Sequence, residues 1–325
     1  KWHLGSKLNS PEDKTPDQWG FERSFTLLSG ATPNHFSHDT SDKKTYTENG
    51  QFVSIPATDS QGQPWFDTNV YTQKLIENID SNIQDGKPFA AFATYTAPHW
   101  PLQVPEPWLS QYKGKYDVGY EIIRKQRLAR QKQLGLVPDD YTTASESLPN
   151  ISTVLPATKN DNKPNASYIN AESFFNANRH NVDYGEGREN LTWENLTPEQ
   201  QRVQARYMEI YAGMVSNLDH NIGLLIAHLK DIGEYDNTFI VFHSDNGAEG
   251  ATVTPEQERI NAQYIDQLGK DQSLRAQGTP ETNVRYGQRW AAVSATPFRL
   301  YKTFTTEGGT SVPAIAHLPG QTEQY

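Results

Sequence analysis

Residues 241–250 read Val-Phe-His-Ser-Asp-Asn-Gly-Ala-Glu-Gly, and two of them have the chemistry to hold a metal. Asp245 offers a carboxylate and Asn246 a neutral amide oxygen, the hard donors that divalent cations take. The apolar run at 239–242 reads as a strand, and Gly247 after the pair permits a tight turn. Open α/β sheets bind ligands at the carboxyl ends of their strands, which is where this pair falls. The same Asp245-Asn246-Gly247 also reads as an ordinary turn. His99 is a second candidate. It follows an apolar run in a loop bounded by Pro98 and Pro101, and an imidazole there can change charge near neutral pH.

The elements that must position these groups follow from the periodicity. Phe66, Val70, Leu75, Ile76, Ile79 and Ile83 repeat with helical spacing over 66–84, and Gly86-Lys87-Pro88 ends the repeat. Phe89-Ala90-Ala91-Phe92-Ala93 then reads as a short buried strand of the kind found in parallel sheets. Thr197-Pro198-Glu199-Gln200 is a helix start, with a Thr cap, Pro at the first position and Gln three residues after the cap. The stripe Val203, Tyr207, Tyr211, Met214, Leu218, Ile222, Leu225 and Leu229 gives that helix one buried face, and Gly233 stops it. A strand from 239 and another over Val312 to His317 complete the pattern. Residues 1–65, rich in Gly, Pro, Asn, Asp and Thr, read mostly as loop. Residues about 110–196, with a short basic helical stretch, and about 249–290 read as polar surface insertions. A long helix leading into a strand with ligands at its end is an α/β unit.

With 29 basic and 39 acidic residues, the net charge of −10 disfavours nucleic acid and anionic membrane as partners. It leaves room for an anionic substrate, because a local cation can dominate a site. No Cys is present, which removes disulfides, a thiolate nucleophile and thiolate metal sites from this stretch of chain. No run reaches membrane-spanning length. Sequons occur at Asn150, Asn165, Asn190 and Asn195, as expected by chance in a chain rich in Asn and Thr. His35, His38, His180, His220 and His243 match no motif and read as structural.

Five segments, in order, resemble the sulfatases of the alkaline-phosphatase superfamily, in particular bacterial arylsulfatases. They are Lys1-Trp2-His3-Leu4-Gly5; Gly20-Phe21-Glu22-Arg23-Ser24-Phe25; Thr96-Ala97-Pro98-His99-Trp100-Pro101-Leu102; Asn237-Thr238 through Ser244-Asp245-Asn246-Gly247; and Thr296-Pro297-Phe298-Arg299-Leu300-Tyr301-Lys302 through Glu307-Gly308-Gly309. The resemblance implies a three-layer α/β/α sandwich with a mostly parallel or mixed central sheet, and hydrolysis of a small sulfate ester. It implies that Asp245 and Asn246 bind a divalent metal, usually Ca2+. It also implies that Lys1 and Lys302 contact the sulfate, that His99 lies near the leaving-group oxygen and that His3 hydrogen-bonds the nucleophile. A phosphomonoester or phosphonate hydrolase on the same scaffold, or a sulfate-binding relative without a nucleophile, are the alternatives. A periplasmic or secreted location is favoured over a cytoplasmic one.

One departure matters. The family nucleophile is a formylglycine made from Cys or Ser in a Cys/Ser-x-Pro-x-Arg motif. The nearest match here, Ala295-Thr296-Pro297-Phe298-Arg299, has Ala in the nucleophile place and lies in a segment matching another part of the family. The resemblance therefore places the formylglycine upstream of Lys1. On that reading residues 1–320 are a partial catalytic domain, 321–325 begin a further region, and these residues alone are inactive. They should also expose apolar sheet surface.

Overall fold

The computed structural model describes residues 1–4, 15–28, 34–36, 46–143, 192–250, 274, 276–282, 284–302 and 304–320. His38, His180, Gly5 and the sequons at Asn150, Asn165 and Asn190 lie outside them, as does most of both polar insertions.

The chain is α/β. Helix α1 covers Asp67–Ile83, α2 Tyr120–Gln133, α3 Pro198–Asp231, α4 Gly287–Ser294 and the short α5 Glu307–Thr310. Strands β1 (Phe25–Leu27), β2 (Tyr46–Glu48) and β3 (Gln51–Val53) form one antiparallel sheet, and β4 (Ile240–His243) pairs antiparallel with β5 (Ala314–His317).

The helix expected over 66–84 is α1. Helix α3 starts as its sequence dictates: Thr197 Oγ1 accepts the Gln200 N–H at 3.3 Å, and Gln200 Oε1 accepts the Thr197 N–H at 2.8 Å. Its first half buries a broader face than the expected stripe, adding Ala205, Met208, Ile210 and Ala212. There it packs with Leu102, Val104, Tyr286, Trp290 and Tyr301 in the main core. Helix α1 packs on α3, joined by Asn69 Oδ1, which accepts from the amides of Asn217 at 3.2 Å and Asn221 at 2.9 Å. The basic helical stretch is α2, which packs on α4.

Three expectations can be set beside these elements. The described part of residues 1–65 is mostly loop, as expected, but it also holds three short strands. Residues 25–53 contain the β1–β2–β3 sheet, closed by Asn49-Gly50 with φ 49° and 78°. Asn-Gly between short apolar-polar runs is the strongest local hairpin signal, because both turn positions need positive φ. Second, residues 89–93 join no ladder. A strand exists only through its neighbours' N–H and C=O groups, and no described strand pairs with this run. Third, the described strand pairs are all antiparallel and form two small sheets; the mostly parallel or mixed central sheet that the resemblance implies is not described by them. The runs at 89–93 and β4 line one cleft without pairing, and that cleft is apolar: Phe92 is 67% exposed and Val241 52%. Of this surface the β4 part, with Ile315 of β5, is the exposed apolar sheet surface anticipated from the sequence; Phe92 belongs to no described strand. Among the described residues no helix is long and apolar enough to cross a membrane.

Candidate functional site

Residues at the amino end are threaded between two segments. The Lys1 backbone nitrogen donates to Thr94 O at 3.0 Å, and Thr94 Oγ1 donates back to Lys1 O at 2.8 Å. On the other side Trp2 N–H reaches Leu27 O at 2.8 Å and His3 N–H reaches Leu28 O at 3.3 Å. Trp2 packs edge-on against Phe21, and Phe21 against Phe92, so the rings of three distant segments fix this stretch. Lys1 is thereby aimed at the end of β4. Its Nζ lies 3.8 Å from Asp245 Oδ2, with the carboxylate 72% exposed.

Beyond β4 the backbone turns against a second glycine-rich segment. Gly247 N–H donates to Gly309 O at 3.1 Å, Gly308 N–H to Arg299 O at 3.1 Å and Lys302 N–H to Ala248 O at 2.9 Å. A Cβ on Gly247 would strike Gly308 O, and one on Gly308 would strike Leu300 O. Glycine is required here because two backbones touch. The packing brings Lys302 beside Glu249, with Nζ 2.8 Å from Oε2. Asn246 Nδ2 donates to Gly247 O at 3.0 Å, which leaves its amide oxygen as the end suited to ligation.

His99 stands on the same cleft. Its Nδ1 is 2.6 Å from Trp100 O; a carbonyl only accepts, so Nδ1 carries the hydrogen and Nε2 of the neutral ring is an acceptor. Burial pushes its pKa down from 6.5 to about 4, the charges of Lys302 and Lys1 push the same way, and the Trp100 carbonyl and Glu249 oppose them. The ring is neutral at pH 7.

A cleft of about 1850 Å³ is lined by Lys1, His3, His99, Asp245, Asn246 and Glu249 among others. The structure thus brings together residues separated by up to about three hundred positions. His3 has φ 58° and an exposed side chain at the cleft edge. Lys302 reaches the group through Glu249. His220 lies apart from it, against Trp108, whereas His243 also lines the cleft, with its Nδ1 2.8 Å from Ser244 O.

Two neighbours of the site escaped the sequence reading. Glu249 lies two residues beyond the Ser244–Gly247 motif, and its meaning comes from Lys302, which folds onto it. Arg285 lies with its guanidinium 3.5 Å from the Trp100 ring centre, forming a wall beside His99. Nothing local marks Arg285, because its meaning depends on a ring almost two hundred residues away. The Lys1 ammonium, an acceptor imidazole and two oxygen donors around one opening, with the Lys302 ammonium behind Glu249, suit a tetrahedral oxyanion with a cation.

The sulfatase family model matches residues 1–325. The chain is 35% identical over 328 residues to an uncharacterized sulfatase of Schizosaccharomyces pombe, covering 98% of this chain and 50% of the relative. It is 31% identical over 335 residues to an arylsulfatase of Klebsiella aerogenes, covering 99% of this chain and 59% of the relative. The chain therefore spans about half the length of the curated relatives it matches. The solved structure of Ps i-CgsB in complex with k-i-k-neocarrahexaose aligns with a TM-score of 0.46 at 18% identity, over 98% of this chain and 43% of that one. A family match running the length of the chain, with relatives above 30% identity, makes this chain a member of the sulfatase family.

Proposed function

We propose that the protein carrying this chain hydrolyses a small sulfate monoester, in the manner of an arylsulfatase. The observation that carries the reading is the convergence of Lys1, His99, Asp245, Asn246 and the Glu249–Lys302 pair on one cleft. On this reading the central sheet is the three-layer α/β/α arrangement of the superfamily, and residues 1–320 are part of its catalytic domain.

Lys1 and Lys302 bind the sulfuryl oxygens as point charges. Both ammoniums now face carboxylates, so a bound sulfate joins or displaces those ion pairs. His99 sits by the leaving-group oxygen. Neutral in the free protein, it gains basicity when an anion offsets the two lysines, and it then holds a proton at Nε2 for the departing oxygen. His3 orients the nucleophile. The nucleophile of this reading is a formylglycine that none of these residues supplies.

A divalent cation, Ca2+ by the hardness of the donors, fits Asp245 and Asn246 as part of its shell. Both side chains line the cleft, and the set is oxygen only. Among the described residues no group of three or more His, Cys, Asp or Glu converges, so these two supply only part of the coordination. When bound, the cation adds positive charge that stabilises an anionic substrate.

The test is a side-by-side measurement of full-length protein on 4-nitrophenyl sulfate and 4-nitrophenyl phosphate, with and without added Ca2+. Sulfate turnover that exceeds phosphate turnover and fails in Lys302→Ala supports the proposal. Preference for the phosphate ester favours the phosphomonoesterase alternative and overturns it.

A further inference from the structure

We infer that His35, with Asp67, is a positioning residue for His99; the inference rests on the role just proposed for His99. Both side chains are fully buried. His35 Nδ1 lies 3.0 Å from each Asp67 carboxylate oxygen, and its Nε2 lies 3.0 Å from the backbone carbonyl of His99. A carboxylate and a carbonyl both accept, so both ring nitrogens carry hydrogens and the ring is an imidazolium.

The contacts continue on both sides of the loop. His35 N–H donates to Gln103 Oε1 at 2.8 Å, and Gln103 Nε2 donates to Thr282 O at 2.6 Å. Asp67 N–H donates to His35 O at 2.9 Å, which ties the pair to the start of α1. On the near side Thr96 Oγ1 donates to the Tyr71 hydroxyl at 3.2 Å, and His99 N–H closes onto Thr96 O at 3.0 Å. The segment 96–103 is thus held at Thr96, at the His99 carbonyl and at Gln103, and the middle hold is the charged one.

Stability alone is a poor reason for this arrangement. A buried ion pair recovers little more than its desolvation cost, and apolar residues of the same volume would serve the core as well or better. The pair supplies direction instead. A charge-assisted hydrogen bond to the carbonyl of His99 itself fixes that peptide plane, and with it the bond from which the imidazole projects into the cleft. Burial acts to discharge His35, but the Asp67 charge and the hydrogen bonds to Asp67 and His99 outweigh it and raise the His35 pKa.

The test uses His35→Gln and Asp67→Asn in the full-length protein, with two readouts. Amide hydrogen exchange should accelerate at least about tenfold across 96–101 and stay at its wild-type rate across 120–133. In kinetics, the turnover of an alkyl sulfate, whose leaving group needs a proton, should fall roughly tenfold to a hundredfold with KM nearly unchanged. Turnover of 4-nitrophenyl sulfate, whose leaving group does not need one, should fall much less. Added to His99→Ala, neither substitution should cost anything further, because both act through the same side chain. Wild-type exchange across 96–101, equal losses on the two esters, or losses that add to those of His99→Ala would overturn the inference. If exchange accelerates while His99→Ala hydrolyses both esters normally, the positioning of the loop stands and the role proposed for His99 falls. Should His35→Gln lose cooperative unfolding, Asp67→Asn keeps the imidazole and the volume of the pair, and the same outcomes decide.

Discussion

His99 is set against its own protonation by burial and by two ammonium groups, and each contribution can be removed separately. Its pKa falls from 6.5 to about 4. A displacement of that size is worth at most about 3 kcal/mol between the two protonation states. The sign follows from linkage. Between pH 6.5 and about 4 the unfolded chain binds a proton at this position and the folded one does not, so stability falls as pH drops through that window. Other groups titrate there too. The difference between wild type and His99→Gln isolates this ring, and the wild type should lose up to about 3 kcal/mol relative to the variant from pH 7 to pH 4. Histidine ring-proton NMR resolves the same quantity directly among nine histidines. Lys302→Met should raise the His99 pKa, Glu249→Gln should lower it, and burial should keep it below 6.5 in the first case. Saturating sulfate should raise it in the wild type. A His99 that titrates at or above 6.5 in the free protein, or that moves downward in Lys302→Met, would refute the electrostatic account of the site.

Asp245→Ala should abolish Ca2+ binding measured by calorimetry while leaving the unfolding free energy within about 0.5 kcal/mol, because the carboxylate is largely exposed. Retained Ca2+ binding would remove Asp245 from the metal site. Gly247→Ala should destabilise the protein by about 1–3 kcal/mol in urea, since its methyl meets the Gly308 carbonyl and a backbone must shift. An unchanged midpoint would mean that the two glycine segments are not in contact. The 325-residue chain by itself should associate and bind a hydrophobic dye, because Phe92, Phe239 and Val241 around the cleft, and Ile315 on β5, are all more than half exposed; a dye-silent monomer in gel filtration would contradict the exposed surface.

The long elements were legible because their signals are local. Helix α3 announces its cap in Thr197, Pro198 and Gln200, and α1 its face in Val70 and Ile79. The Asp245-Asn246 pair could be read because strand, donors and glycine are adjacent in sequence. The β1–β3 sheet was passed over although Asn49-Gly50 marks its hairpin: its strands are three residues each, too short to show alternation against a Thr- and Asn-rich background. The run at 89–93 failed for the opposite reason. Its composition suits a strand, but a ladder is a property of two segments, and only one was in view. Lys1 and Lys302 carry no local mark at all; without the family resemblance they read as solvated surface.

His99 and the His35 that holds its carbonyl show why the site could not be assigned from residue types. His35 and His99 are both removed from water, and burial acts on both in the same direction, toward the neutral form. Their neighbours decide the outcome. His35 faces the Asp67 carboxylate and two acceptors of its hydrogens, so it is held charged. Burial and the charges of Lys302 and Lys1 outweigh the Trp100 carbonyl and Glu249 at His99, so it is held neutral. The first carries a fixed charge in the core and serves geometry. The second is poised against charges that a bound anion would cancel, so its protonation follows the occupancy of the lysines. On the proposed reading, a tetrahedral anion between Lys1 and Lys302 would raise the His99 pKa, and the ring would take from solvent the proton that the leaving group requires.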